Sequence, residues 1–286
     1  MSMPLDIGVI DTMVGFPVGF EIYDFIRKQA KDWDTRETFQ FPVEYLFKGA
    51  PKDLFGADDP VAVVLHEMDR FGIERAMIGC EGDVSQHALA AHPDRFIPSM
   101  SVDPNRGMDD IRKMVENYER FGLKAATAFP AGYVPQVPIN DRRFYPIYAK
   151  CCELDIPIFV CAGVPGPRIK MACQQVELID DVMYDFPDLT FVTRHGCEPW
   201  TDLAVKLMLK WPGLHYSTSA FAPKYYPRDI IDYANTRGAD KVLYAGYFPA
   251  GLTYDRIWAE MPAVPLRDEV WPKFLRDNAL RVLGLD

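Results

Sequence analysis

The 286-residue sequence lacks the features that mark several common classes of protein. No uncharged apolar run approaches the ~18 residues of a membrane-spanning helix, so none is predicted. Basic residues are not in excess: 31 Lys and Arg stand against 41 Asp and Glu, and the net charge of −10 argues against nucleic-acid binding. Neither a GxGxxG nor a Walker-type phosphate loop is present, so nucleotide binding is not predicted.

Signals of secretion are also missing. The N-terminal stretch MSMPLDIGVID has no basic region ahead of its apolar run, so no signal peptide is predicted. The six cysteines, of which Cys151 and Cys152 are adjacent, do not show the spacing of a disulfide framework. We therefore expect a cytoplasmic protein with reduced thiols.

Short apolar runs alternate with helical patterns along the whole chain. The predicted strands are residues 5–11, 75–81, 95–102, 123–129, 156–163, 191–194, 214–219 and 241–247. Apolar residues at helical spacing separate them, as in the segment 107–121. The alternation predicts a single α/β domain, residues 1–286, folded as a (β/α)8 TIM barrel, with an open doubly wound sheet as the alternative.

One long segment, residues 12–60, interrupts this alternation after the first strand. It contains ten aromatic residues: Phe16, Phe20, Tyr23, Phe25, Trp33, Phe39, Phe41, Tyr45, Phe47 and Phe55. This composition is too apolar for a disordered linker. A connection of this length in a compact domain predicts a lid or a dimer arm.

The stretch FVTRHGCEPW, residues 191–200, places a histidine where a strand runs out into a loop. In a TIM barrel this edge is the catalytic face, and imidazole can act as a general acid or base near neutral pH. His195 is therefore the first catalytic candidate, with a backbone-bonded strand-end histidine as the alternative. Glu198 could orient or charge this imidazole, or it could favour a helix N-terminus.

Several phrases resemble one known family along nearly the whole chain. AAHPDRFIPSMSVDP, FGLKAATAFP, IPIFVCAG and LRDNALRVLG are similar to segments of the amidohydrolase-2 family, the relatives of aminocarboxymuconate semialdehyde decarboxylase. The resemblance implies a metal-bearing TIM barrel that acts as a hydrolase, decarboxylase or hydratase on carboxylated or cyclic small molecules. It also implies dimers and a catalytic role for the histidine that ends the sixth strand, here His195.

The sequence departs from this family at its metal ligands. Met13 and Gly15 stand where the family has two histidines, Cys161 replaces a histidine, and Tyr247 replaces an aspartate. Because a catalytic zinc normally needs three protein ligands, the sequence predicts no metal site and no cofactor. A zinc site rebuilt from Cys161, His195 and Cys197 is the alternative to two packed thiols.

Three further residues are candidates for binding or chemistry. A Cys161 thiol could pair with the His195 imidazole as a nucleophile, or it could be a small apolar replacement. Arg168, in the loop VPGPRIK, could clamp a carboxylate through its fork geometry, or it could be a solvated loop arginine. Tyr247 could donate a phenolic proton to a substrate oxygen, or it could fill the space left by the metal.

Strand alternation assigns directions to the remaining polar residues. Asp11 has the same parity as Met13, so both are predicted to face inward and to line the substrate pocket. A buried Asp11 would need hydrogen bonds or a raised pKa. Arg194 has the opposite parity to His195 and is predicted to face the helices. His215 begins the seventh strand at the stability face and, with His66, His87 and His92, is given no catalytic role.

These observations predict a metal-independent hydrolase of a cyclic ester or acyl bond in a small carboxylated or aromatic molecule. Lactone hydrolysis is easier without a metal than amide hydrolysis, because an alkoxide leaves more readily than an amide anion. A decarboxylase of an unsaturated or aromatic acid and a non-catalytic ligand-binding protein are the alternatives. The expected partners are a small-molecule substrate and a second copy of the chain.

Overall fold

The architecture is a closed ring of parallel strands surrounded by helices. The structure, a computed structural model, describes residues 3–4, 6–19, 24–37 and 50–285. Its strands are β1 (Val9–Asp11), β2 (Ile73–Gly79), β3 (Phe96–Ser101), β4 (Ala125–Ala128), β5 (Ile158–Cys161), β6 (Phe191–Arg194), β7 (Leu214–Ser217) and β8 (Val242–Leu243). They are hydrogen-bonded in sequence order, and every neighbouring pair is parallel. The prediction of a (β/α)8 TIM barrel is confirmed.

Helices separate the strands, as the alternation predicts, and the predicted helical segment 107–121 is a helix over Met108–Phe121. The helices are α1 (Asp24–Gln29), α2 (Trp33–Glu37), α3 (Pro60–Arg70), α4 (Asp83–Ala91), α5 (Met108–Phe121), α6 (Tyr145–Glu153), α7 (Leu178–Asp185), α8 (Thr201–Lys210), α9 (Arg228–Ala234), α10 (Tyr254–Glu260) and α11 (Asn278–Val282). Within the described ranges, no helix is long and apolar enough to cross a membrane.

Backbone hydrogen bonds between the first and last strands close the ring. Thr12 N donates to the Tyr244 carbonyl at 3.4 Å, and Tyr247 N donates to the Met13 carbonyl at 3.1 Å. Val14 and Phe248, the residues that follow Met13 and Tyr247, form a parallel bridge. The alternative of an open doubly wound sheet is therefore excluded.

The interior of the ring is mainly apolar at one end. A single inward layer contains Ile10, Met77, Ile97, Ala125, Phe159, Val192 and Leu243. The C-terminal helix α11 covers this layer from below with Ala279, Val282 and the following Leu283. Burial of this layer fills the barrel with side chains, so only the opposite end, at the C-terminal ends of the strands, is left for a ligand.

Parts of the predicted insertion contact loops at that end. Gln29 Nε2 donates to the Gly132 carbonyl, in the loop after β4, at 2.6 Å. Arg168, in the loop after β5, pairs with Asp32 at 2.7 Å. The predicted aromatic residues at 20–23 and 38–49, together with the Phe25 side chain, lie outside the described residues. The lid or dimer arm over residues 12–60 stays a prediction.

Candidate active site at the barrel mouth

The backbone leaves the strands abruptly at the barrel mouth. Four residues other than glycine have a left-handed φ just after β6, β7 and β8: His195 (64°), Cys197 (59°), Ala220 (71°) and Tyr247 (60°). Each such residue costs on the order of 1–3 kcal/mol, and such strain is concentrated at functional sites. The strain here positions the side chains of His195 and Tyr247, which both remain partly exposed.

His195 is held by a serine of the neighbouring strand. Its backbone N–H donates to Ser219 Oγ at 3.1 Å, and the same hydroxyl lies 3.4 Å from His195 Nδ1. The edge of the imidazole meets the Tyr247 ring at a centroid distance of 5.2 Å and an angle of 71°. The predicted placement of His195 and Tyr247 at the mouth agrees with this geometry.

The protein environment keeps the His195 imidazole neutral. Although the ring retains some exposed surface, surrounding protein atoms desolvate its charged form and lower its pKa to about 3. The positive charge of Arg194 acts in the same direction, whereas a hydrogen bond with the Ser219 backbone opposes it. At neutral pH the ring is therefore a proton acceptor and not an imidazolium.

Arg194 points into the barrel. It is the register partner of Cys161, and the preceding pair, Phe159 and Val192, lies in the inward layer. The guanidinium carbon lies 5.3 Å from the centre of the Phe159 ring, and one terminal nitrogen donates to the Thr12 carbonyl at 3.2 Å. The prediction that Arg194 faces the helices is therefore wrong.

Asp11 lies on the opposite side of the strand from the interior. Its register partner Ala76 packs in the outer layer. One carboxylate oxygen accepts from the backbone N–H groups of Gly246 and Met13 at 2.8 and 2.9 Å, and the other accepts from the Tyr254 hydroxyl of α10 at 2.9 Å. Burial raises the pKa of Asp11 to about 6, against the opposing effect of these hydrogen bonds.

Asp11 is therefore not a pocket residue, and its predicted inward direction is wrong. The sequence predicts that a buried Asp11 needs hydrogen bonds or a raised pKa, and in the structure Asp11 has both. Met13, two residues later, is partly exposed at the mouth, so alternation does not continue through Thr12. The role of Met13 in substrate binding stays a prediction.

The two cysteines near the mouth are packed thiols. Cys161 is 4% exposed and Cys197 is fully buried. Burial raises the pKa of each thiol to about 12, so neither is a thiolate at neutral pH. This chemistry opposes an activated Cys161 nucleophile.

Glu198 does not orient His195 in this arrangement. Its side chain is exposed, and within the described residues no hydrogen bond joins it to the imidazole. It also precedes the first residue of α8, Thr201, so it is not in the first helical turn. Ser219 takes the place that the sequence assigned to Glu198.

Arg168 is at the rim, where acidic side chains hold it. The guanidinium lies 2.7 Å from Asp32 and 3.8 Å from Asp34, and 44% of the side chain is exposed. These contacts attach the loop after β5 to the segment that carries α1 and α2. A carboxylate clamp at Arg168 would have to displace Asp32.

Sequence comparison decides the family. The sequence model of the Amidohydrolase family (Amidohydro_2) matches residues 31–285, which is most of the chain. The chain belongs to the amidohydrolase family. No curated protein matches this amidohydrolase chain.

Solved structures share the fold at low sequence identity. An uncharacterized TIM-barrel protein from Bordetella bronchiseptica is 23% identical, with a TM-score of 0.72 over 98% of this chain and 99% of that one. A 5-carboxyvanillate decarboxylase from Novosphingobium aromaticivorans, complexed with manganese and 4-hydroxy-3-methoxy-5-nitrobenzoic acid, is 17% identical, with a TM-score of 0.67 over 100% of both chains. A 4-oxalomesaconate hydratase from Rhodopseudomonas palustris is 18% identical, with a TM-score of 0.62 over 97% and 96%. At these identities the similarity shows the fold alone.

The mouth of this amidohydrolase does not fit the metal that its family implies. Of the positions that depart from the family pattern, Met13 offers a thioether, Gly15 no donor, and Cys161 a single buried thiol. Across the described ranges, no group of three or more His, Cys, Asp or Glu residues could hold a metal ion. The Arg194 guanidinium also occupies the interior below these positions, where its charge would repel a cation.

Sequence reasoning missed three residues of this site: Arg194, Ser217 and Ser219. The serines follow one another at alternate positions of the predicted strand 214–219, so both could have been assigned to the side opposite the buried Tyr216. A hydroxyl at the end of a strand next to His195 was thus a visible signal. No such signal existed for Arg194, because its direction depends on where β6 ends.

Proposed function

We propose that this amidohydrolase is a metal-independent hydrolase of a cyclic ester or acyl bond in a small carboxylated or aromatic molecule. His195 acts as the general base. The observation that carries the proposal is a neutral imidazole at the mouth of the barrel, held by Ser219 and packed edge-on against Tyr247. A neutral imidazole can take a proton from water without a metal.

The proposal requires a particular histidine tautomer. The Ser219 hydroxyl already accepts from the His195 backbone N–H and can accept a second hydrogen bond from Nδ1–H. Nε2 then keeps a free lone pair, as a general base needs. In this tautomer Ser219 fixes the orientation of the ring.

Hydrolysis then proceeds in two proton transfers. Water attacks the ester carbonyl while His195 Nε2 takes one of its protons, which gives a tetrahedral oxyanion. The intermediate collapses, the C–O bond breaks, and the imidazolium returns the proton to the leaving alkoxide. A lactone would give one product, a hydroxy acid. The Tyr247 hydroxyl is the proposed donor to the substrate oxygen.

Decarboxylation is the second candidate function, because the fold is similar to that of a 5-carboxyvanillate decarboxylase. Loss of CO2 from an aromatic acid requires an acid that protonates the ring carbon. His195 is neutral well above its pKa of about 3, so it is poorly suited to this step. The low pKa also makes the ring a weaker base, so water activation is preferred here because it needs no imidazolium in the free protein. A small-molecule substrate is common to both reactions.

A substrate panel tests the proposal. The purified protein is treated with a chelator and assayed on lactones, enol esters and aryl carboxylic acids, with separate detection of acid release and CO2 release. We expect chelator-resistant acid release from a lactone or enol ester. CO2 release from an aryl acid, or activity that appears only after a metal is added, would contradict the proposal. The predicted homodimer and cytoplasmic location remain predictions.

A further inference from the structure

A guanidinium lies inside the barrel with few protein partners. Arg194 is 8% exposed, and its hydrogen bond to the Thr12 carbonyl uses one terminal nitrogen. Its Nε is buried and, within the part of the chain that the structure describes, has no hydrogen-bond partner. The face of the Phe159 ring supports the cation from below. A cation–π contact and a single carbonyl leave most of the donors of an arginine available.

No carboxylate of the described residues forms an ion pair with this cation. Asp11 is near enough to influence the pKa of Arg194, but its oxygens accept from Gly246, Met13 and Tyr254 on the other side of β1. With a pKa of about 6, Asp11 is also an incomplete counter-ion in mildly acidic solution. A buried charge without a partner is costly, so the site would be stabilised by an external anion.

A second unpartnered polar group lies on the next strand. Thr193 of β6 pairs with Tyr216 of β7, so the following residues, Arg194 and Ser217, are neighbours. Ser217 is fully buried, and its Oγ has no hydrogen-bond partner among the described residues. Tyr216 packs in the outer layer, so Ser217 faces the interior, as Arg194 does. Two donors without a partner among the described residues, Arg194 Nε and Ser217 Oγ, thus lie on adjacent strands that direct them into the barrel.

We propose that Arg194, assisted by Ser217, binds the carboxylate of the substrate beneath the mouth. The guanidinium fork matches a carboxylate, and the serine hydroxyl donates a further hydrogen bond. A fixed protein cation thereby takes over the electrostatic role that the family assigns to a metal. The inference rests on the proposed function only in placing the substrate at the mouth, and it restricts the substrate class to anions.

The bound anion would also act on the catalytic histidine. Arg194 is one of the causes that keep the pKa of His195 low. A carboxylate on the guanidinium neutralises this charge, so the basicity of His195 rises when substrate binds. The base is then strengthened in the complex and stays uncharged in the free protein.

Arg75 provides a matched control for this inference. It lies in β2 opposite Ile10, at the closed end of the interior, and its Nε is likewise buried without a partner among the described residues. Each end of the barrel interior therefore contains an arginine whose Nε has no hydrogen-bond partner among the described residues. Only Arg194 is below the mouth, so only Arg194 should bind a ligand.

Binding of two probes tests the proposal. Benzoate and benzamide have the same ring and nearly the same size, but only benzoate is charged. Each is titrated by calorimetry or by NMR into the full chain and into Arg194→Met, Arg194→Lys, Ser217→Ala and Arg75→Met. We expect the wild type to prefer benzoate and Arg194→Met to lose about 10- to 100-fold in benzoate affinity. Arg194→Lys and Ser217→Ala should lose less, and Arg75→Met should match the wild type.

The outcomes separate this inference from the proposed function. Equal binding of benzoate and benzamide to the wild type, or unchanged benzoate affinity in Arg194→Met, would overturn it. If Arg194→Met does not fold, unchanged benzoate affinity in both Arg194→Lys and Ser217→Ala overturns it as well. His195→Gln should keep the preference for benzoate. If it does so while the substrate panel shows no hydrolysis, the anion site stands and the hydrolase proposal fails.

Discussion

The barrel has a histidine with a strongly lowered pKa at each end. His195 follows β6 at the mouth, whereas His215 lies in β7 at the closed end and is 4% exposed. Burial lowers the pKa of both rings to about 3, and neighbouring cations act in the same direction: Arg194 on His195, and Lys241 and Arg281 on His215. A shifted pKa alone therefore does not identify the catalytic histidine.

The surroundings of the two rings make the difference. His195 stands on a left-handed backbone beside a serine hydroxyl and a partly exposed tyrosine. The His215 ring bonds to the backbone of Asp240, as the His195 ring does to that of Ser219, but the Nδ1 of His215 is buried without a partner among the described residues. Of the two histidines, only His195 combines a left-handed backbone with a partly exposed side chain. The comparison predicts that the same substitution will affect activity at one end and stability at the other.

Replacing each histidine by glutamine is the strongest test of this comparison. His195→Gln should lower turnover by ~10²–10⁴, the effect of losing a positioned proton-transfer group, and should leave the fold intact. His215→Gln should leave turnover within a few-fold of the wild type but destabilise the fold by about 1–3 kcal/mol, because buried hydrogen bonding is disturbed. Turnover on the substrate found in the panel and the free energy of unfolding measure both effects.

An equal loss of turnover in both variants would show that the two ends do not differ in function. Wild-type turnover in His195→Gln would remove His195 from the mechanism. A destabilised His195→Gln that regains turnover under stabilising conditions would show that the mouth histidine supports the fold instead.

Asp11, in β1 between the two ends of the barrel, is another ionisable group whose pKa is shifted by burial. Its pKa is raised from 3.8 to about 6, so between these values the folded protein keeps a proton that the unfolded chain releases. The stability from this proton is complete below about pH 4 and is lost as the pH rises through about 6. The integrated effect is on the order of 3 kcal/mol.

Asp11→Asn removes this titration. Its stability relative to the wild type should therefore increase between about pH 4 and pH 7, by up to about 3 kcal/mol. The free energies of unfolding of Asp11→Asn and of the wild type, measured with denaturant at about pH 4 and pH 7, give this difference. Asp32→Asn is the control, because hydrogen bonds from Thr35 lower the pKa of Asp32 to about 2, so its titration is nearly complete at pH 4 and its stability relative to the wild type should change little between the two pH values. A pH-independent difference for Asp11→Asn would contradict the assignment.

The errors made from the sequence share one physical cause. Alternation predicts the barrel and its apolar layer well, because most of each strand is regular, and it also places His195 at the mouth. The directions of Asp11 and Arg194 were assigned by extending alternation past the ends of β1 and β6. The chain changes direction there, at Thr12 and at the left-handed His195, so neighbouring residues can both face the interior or mouth.

This cause also explains why the site was harder to predict than the fold. Functional residues of a TIM barrel lie where strands end, and alternation is least reliable there. Cys161 lies within β5, and its burial there favours the packed-thiol alternative. The partner of His195 was assigned to Glu198 by nearness in sequence, whereas it comes from the segment after β7.

Ser219 and Glu198 are both candidates for orienting His195. Their variants are expected to give the smallest effects on turnover at the mouth of the barrel. Ser219→Ala removes the hydroxyl that contacts both the backbone N–H and Nδ1, so turnover should fall by about 3- to 10-fold, the effect of one net hydrogen bond. Glu198→Gln changes an exposed side chain and should alter turnover by less than about 2-fold. Nitrogen NMR of the histidine ring gives a second measure: the proton on Nδ1 should be less strongly preferred in Ser219→Ala and unchanged in Glu198→Gln. The reverse order of effects would return the orienting role to Glu198 and would mean that the mouth closes around its substrate in a different arrangement.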